Sequence, residues 1–96
     1  MIKVYKEDKE KVEFCKVAIK HHLFSCHNWA LKRKYIDILN GGKFCDTYYV
    51  YYINDIPVGV LRWNITSTWI FVKPAYRRRG IGRELIRFIE KEGKKF

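Results

Sequence analysis

The 96-residue chain is 48% hydrophobic and 17% aromatic, which excludes disorder and supports one packed domain over residues 1–96. Twenty basic residues against ten acidic ones give a net charge of +10, a field that draws anions: a phosphorylated cofactor, nucleic acid or an acidic protein face. No apolar run approaches the roughly 20 residues that span a bilayer, and Cys15, Cys26 and Cys45 are odd in number and off CxxC spacing, so a cytoplasmic chain with free thiols and no membrane partner is expected.

Ile2-Lys3-Val4-Tyr5 alternates and reads as a first strand. Asp8 is the candidate cap of a helix running to about Leu23, with Val12, Cys15, Ala18, Ile19, His22 and Leu23 on its inward face. Ser25 to Asn28 interrupts it, and Asn28 is the candidate cap of a second helix. That helix carries Leu31, Tyr35, Ile38 and Leu39 inward and stops at Asn40-Gly41-Gly42. Thr47 to Ile53 is a β-run in which Tyr48, Tyr49, Tyr51 and Tyr52 alternate between two faces. They could stack bases beside a basic surface; the simpler reading is a central strand covered by helices on both faces. Asn54-Asp55 suits a tight hairpin turn, Pro57 lies near the start of the next strand, and Thr66-Ser67 turns into a strand from Thr68 to Val72. Ile81, Leu85, Phe88 and Ile89 mark the buried stripe of a last helix. The order is strand, helix, helix, three strands, helix. The fold class is α/β, with a mostly antiparallel sheet flanked by helices.

Between the last strand and the last helix lies Arg77-Arg78-Arg79-Gly80-Ile81-Gly82-Arg83. A basic glycine loop at a helix start presents backbone N–H groups to an anion where the helix dipole is positive. Gly80 and Gly82 allow close approach, and the arginines add fixed charge, which together suit a diphosphate. The P-loop does not fit, because Gly82 is followed by Arg83-Glu84 rather than Lys-Ser/Thr. The dinucleotide fingerprint needs a third glycine and a later acidic residue. His22 and Cys26, with His21 and His27 adjacent, loosely approach metal-ligand spacing but lack a second pair, so no metal is expected.

The loop resembles motif A of the GNAT N-acetyltransferase superfamily, Arg/Gln-x-x-Gly-x-Gly/Ala, preceded here by Val72-Lys73-Pro74. Asn54 through Trp63 is similar to that family's central hairpin. The resemblance implies acetyl-CoA as cofactor and acetyl transfer to an amine, with a protein amine among the candidate acceptors. It implies that Ile70, Phe71 and Val72 pair with the pantetheine amides. It also implies that Arg78 to Arg83 cradle the diphosphate, chiefly through N–H groups of Arg79, Gly80, Ile81 and Gly82, while Arg77 supports the loop. In the family a fifth strand, a fourth helix and a closing hairpin follow the motif A helix. The sequence here stops at Phe96, just after that helix, so a shortened form is expected, with its last strand near a sheet edge and a homodimer or completing partner chain beside it. Family members often carry a glutamate base on the third or fourth strand, yet no acidic residue lies between Ile56 and Tyr76. His21, His22 and His27 have suitable chemistry but read more readily as structural or exposed residues, so the catalytic residues are unknown. A non-catalytic module binding an acidic protein or nucleic acid is the alternative reading.

Overall fold

The computed structural model describes residues 1–23, 29–42 and 46–96. Its elements are β1 (Ile2–Tyr5), α1 (Asp8–Lys20), α2 (Trp29–Leu39), β2 (Thr47–Ile53), β3 (Ile56–Trp63), β4 (Thr68–Val72), a single 3₁₀ turn (Pro74–Tyr76) and α3 (Ile81–Lys91). The four strands form one antiparallel sheet in the order β1-β2-β3-β4. This is the α/β architecture and the element order that the sequence predicts.

The tyrosines of β2 show why the sheet has helices on both faces. Tyr48 joins a cluster with Phe14, Cys15 and Ala18 of α1 and Tyr35 and Ile38 of α2. Tyr49 joins a second cluster with Ile81, Leu85 and Ile89 of α3. Period-two alternation on a strand sends successive rings to opposite layers, and the sheet is sandwiched. Two hydroxyls on the α3 side then anchor that helix. Tyr51 hydrogen-bonds Glu84 in its first turn, and Tyr49 donates to Glu92 Oε2 at 3.0 Å at its C-terminal end.

The β2–β3 hairpin turns through Asn54 and Asp55, both left-handed at φ 49° and 64°, as a two-residue hairpin requires. A register shift between Tyr51 and Tyr52 sets Tyr52 opposite Pro57, so the residue without an N–H falls at the irregularity. α1, α2 and α3 end alike, with a left-handed residue (His22, Gly41, Gly93) and the next N–H bonded back five residues.

Several expectations need correction. α1 ends at Lys20 rather than near Leu23; Leu23 is buried after the helix, its N–H on the Ala18 carbonyl at 2.9 Å. Asp8 is not the cap. Glu7 is, and Glu10 reaches back to accept from the N–H of Lys6 at 2.9 Å and of Glu7 at 3.2 Å. Those two bonds hold the Glu10 carboxyl below the usual carboxylate range. The buried stripe of α1 is Lys11, Phe14, Cys15 and Ala18, a cleaner three-four spacing than the expected one, and Ile19 is 55% exposed. His22 is exposed too. On α2, Tyr35 and Ile38 are buried, while Leu39 is 36% exposed because it lies one residue past the inward stripe. The side chain of Leu31 and the Asn28 cap lie outside what is described. On α3, Phe88 is half-buried and packs edge-on against Tyr49, with ring centroids 5.8 Å apart.

Gly59 of β3 faces α3, and a Cβ there would meet Ile81 Cγ2 at 3.0 Å. Bare backbone at Gly59 therefore lets the start of α3 press onto the sheet. Gly59→Val is expected to destabilise the fold by about 2 kcal/mol through overpacking, read as a lower urea midpoint. Ile81→Ala in the same chain should recover part of that loss, because the two sites share the contact.

Candidate functional site

Lys73 closes the β3–β4 pairing, its N–H on the Val58 carbonyl at 2.9 Å. Pro74 then opens the 3₁₀ turn, where its fixed φ and missing N–H cost nothing. The Arg77 N–H returns to the Pro74 carbonyl at 3.3 Å. Arg78 is left-handed at φ 65°, and Gly80, the N-cap of α3, at φ 80°. The first bond of the helix runs from the Glu84 N–H to the Gly80 carbonyl at 3.0 Å.

That geometry leaves a row of donors. Among the described residues, no backbone carbonyl accepts from the N–H of Arg78, Arg79, Gly80, Ile81, Gly82 or Arg83, and no side chain caps Gly80. Helix geometry orphans the last of these, from Gly80 to Arg83, and the left-handed backbone at Arg78 and Gly80 turns the preceding ones out of any local bond. A Cβ added at Gly80 would meet nothing within 4 Å, so the face of the loop is open. A Cβ at Gly82 would meet Ile70 Cδ1 at 3.4 Å, which places the first turn of α3 against β4. Ile81 is buried in the α3 core and acts as the root of the loop.

The arginines divide by role. Arg77 folds back: its Nε donates to the Val72 carbonyl at 2.9 Å, and its guanidinium lies 5.7 Å from the Phe71 ring centroid. Arg79 lies over the Tyr76 ring at 5.4 Å. Arg78, Arg79 and Arg83 are exposed beside the open N–H groups.

β4 is an edge strand of this sheet, and its phase can be read from its two ends. The Asn64 N–H bonds the Ser67 carbonyl at 3.0 Å, and the Lys73 N–H bonds Val58. Antiparallel pairing alternates, so Trp69 and Phe71 turn their backbone groups to β3, and Thr68, Ile70 and Val72 turn theirs to the open edge. Of Ile70, Phe71 and Val72, Ile70 and Val72 therefore turn their backbone groups to the open edge, where the Val72 carbonyl already accepts from Arg77 Nε, and Phe71 turns its own to β3. Its ring lies on the α1–α2 side of the sheet, stacked at 6.0 Å on Trp69.

Among the described residues, the histidines and the cysteine are not gathered beside this loop. His21 caps the C-terminal end of α1, His22 is exposed, and His27 lies outside the described residues. Cys26 and Cys45 lie outside them too. Cys15 is buried, and burial pushes its thiol up to about 12. Sequence reasoning passed over Asp46, a carboxylate 3% exposed at the entry to β2, whose Oδ1 accepts from Asn64 Nδ2 at 2.9 Å. It adds to the burial that raises the Tyr35 and Tyr48 hydroxyls, which stay protonated. An aspartate before a strand reads as a turn residue, and only the tertiary fold buries it. Among the described residues no group of three or more His, Cys, Asp and Glu could hold a metal, and no helix is long and apolar enough to cross a membrane.

A family model described as an acetyltransferase (GNAT) domain matches residues 45–96, from the entry of β2 through the loop and α3. The chain belongs to the GNAT family. Two solved structures share the GNAT fold with this chain. The first is AAC(6')-Iy in complex with the bisubstrate analogue CoA-S-monomethyl-acetylneamine, with TM-score 0.54 and 17% identity over 97% of this chain and 71% of that one. The second is an acetyltransferase from Vibrio fischeri, with TM-score 0.52 and 19% identity over 96% of this chain and 84% of that one. No curated protein matches the chain. The GNAT match spans the loop and β4, while the structural likeness extends the fold through β1, α1 and α2.

The left-handed backbone at Arg78 is a local requirement separable from its charge. Arg78→Val is expected to be about 1–2 kcal/mol less stable than Arg78→Gly, because a β-branched residue resists φ > 0. Thermal unfolding of the two variants measures the difference; equal stability would show that the loop relaxes around position 78.

Proposed function

We propose that this chain binds acetyl-CoA and transfers the acetyl group to an amine, with residues 1–96 acting as one cofactor-binding domain. The observation that carries the reading is the row of N–H groups from Arg78 to Arg83, unpaired among the described residues, at the positive end of α3. A diphosphate fits there on the chain's own terms. Gly80 leaves the face open, Gly82 keeps the first turn tight against β4, and exposed Arg78, Arg79 and Arg83 bring compensating charge.

When bound, acetyl-CoA supplies a thioester activated toward amines. The protein's work is to hold and orient. The orphan N–H groups bind the diphosphate, and the outward backbone groups of Ile70 and Val72 offer strand-like hydrogen bonds to an arm that carries amides. Holding both ends limits the arm's freedom, and positioning of that kind supplies much of the rate in bimolecular transfers. Among the described residues the one cysteine, Cys15, is buried with a raised thiol pKa, which favours direct attack by the amine over an acyl-intermediate on it. The acceptor is an amine, and the +10 charge favours one on an acidic molecule, a protein lysine or N-terminus among them. The open β4 edge supports a homodimer in cofactor-free protein, because an unpaired strand is a template for a second copy.

Calorimetry with CoA tests the reading. Wild-type protein should bind it and melt at a higher temperature in its presence. Gly80→Glu should lose binding, because it sets a carboxylate where the phosphate belongs. Gly93→Glu carries similar backbone strain, at φ 81° with open space around it, but sits past the far end of α3 and should keep binding. Equal affinity in wild type and Gly80→Glu would overturn the assignment. Light scattering on the same samples should show association without CoA and monomers with it; monomers in both states would remove the homodimer and leave the cofactor reading intact.

A further inference from the structure

Val72 provides the last carbonyl that β4 turns to its open edge, and that carbonyl is already taken. The chain leaves β4, makes the Pro74–Tyr76 turn, and sends the Arg77 side chain back to the strand it has just left. Arg77 Nε donates to the Val72 oxygen at 2.9 Å, while its guanidinium lies over the Phe71 ring. What remains on offer along the edge is the N–H and carbonyl of Thr68 and of Ile70, and the N–H of Val72.

We infer that Arg77 is a positioning residue that fixes the register of a ligand arm on β4, by closing the strand edge at Val72 where phosphate binding begins. The inference rests on the reading of this site as a CoA seat. A strand edge repeats every two residues, so an arm with spaced amides can pair with it in more than one register. A slip of one repeat moves the far end of the arm by about 7 Å, far beyond the misplacement that transfer chemistry tolerates. With the Val72 oxygen occupied, a slipped arm that calls on it finds no acceptor and meets the guanidinium instead. Arginine suits the task because its Nε–H and its flat face act at once, one on the carbonyl and one on the ring; lysine lacks the plane. The role differs from phosphate binding. It acts through a backbone carbonyl, and it requires a donor rather than a charge.

That difference makes it testable. Arg77→Met keeps a stem over Phe71 and removes the donor. Arg77→Gln keeps a donor and removes the charge. The probes are CoA, which has the arm, ADP, which has the diphosphate without it, and acetyl-CoA labelled with ¹³C in the acetyl group. In Arg77→Met, ADP affinity should hold, CoA affinity should fall by about two- to tenfold, and the single bound acetyl resonance should split or move toward its free position. Arg77→Gln should keep the wild-type ratio of CoA to ADP affinity and the single resonance. Arg77→Ala serves the same comparison if Arg77→Met does not keep the native circular dichroism spectrum. Proportional weakening of ADP and CoA, an unmoved acetyl resonance in the donor-less variant, or a Gln variant that behaves like the Met one would each overturn the inference. Wild-type protein that binds neither probe would instead refute the CoA reading, and this inference with it.

Discussion

Ile81 rests on the bare backbone of Gly59, and the N-terminus of α3 is where it is because of that contact. A methyl group at position 59 would already stand 3.0 Å from Ile81 Cγ2. The same first turn touches β4 through Gly82 and Ile70. Tyr51 holds Glu84 within it, and Tyr49 holds Glu92 at the other end. α3 is thus fixed to three strands, with its positive end beside the last residues of β4. The loop between them has few options. It spans the gap with a proline-initiated turn and two left-handed residues, and its N–H groups are left facing outward.

The site is a product of backbone more than of side chains. Charge attracts an anion from a distance, and the chain carries ten net positive charges. Oriented N–H groups at a helix start decide where it settles. Arginines flank the row without being required to touch it, and one of them, Arg77, is committed to a carbonyl and a ring of β4. The strand edge and the helix end meet at Ile70 and Gly82, so a ligand that is part polyanion and part amide-bearing arm matches the junction of the two.

Much of this was legible in the sequence where the signal is local. Asn54-Asp55 tolerates φ > 0, and both residues adopt it. The alternating tyrosines of β2 reported two covered faces, and helices cover both. Gly80 before an amphipathic run marked the helix start. Features that depend on distant partners were not legible. The rotation of α1 about its axis is set by what Phe14 meets, an aromatic cluster with Tyr5, Tyr35 and Tyr48, and not by the count of apolar residues, so Ile19 was misplaced. The role of Gly59 appears only when Ile81 is overhead. Parity on β4 is a two-way choice that the sequence leaves open, and the pairs at Asn64 and Lys73 resolve it against Phe71. The carboxylate of Asp46 is buried by elements that its own neighbourhood does not announce.

The central claim is that backbone donors at the start of α3 bind a diphosphate. Titrating ¹⁵N-labelled protein with ADP while following the amide resonances tests it most directly. The account predicts saturable shifts that are largest at Arg79, Gly80, Ile81 and Gly82, with smaller ones along β4. Saturable binding that leaves those four amides unmoved, or shifts that spread evenly over the basic surface and vanish with added salt, would contradict it.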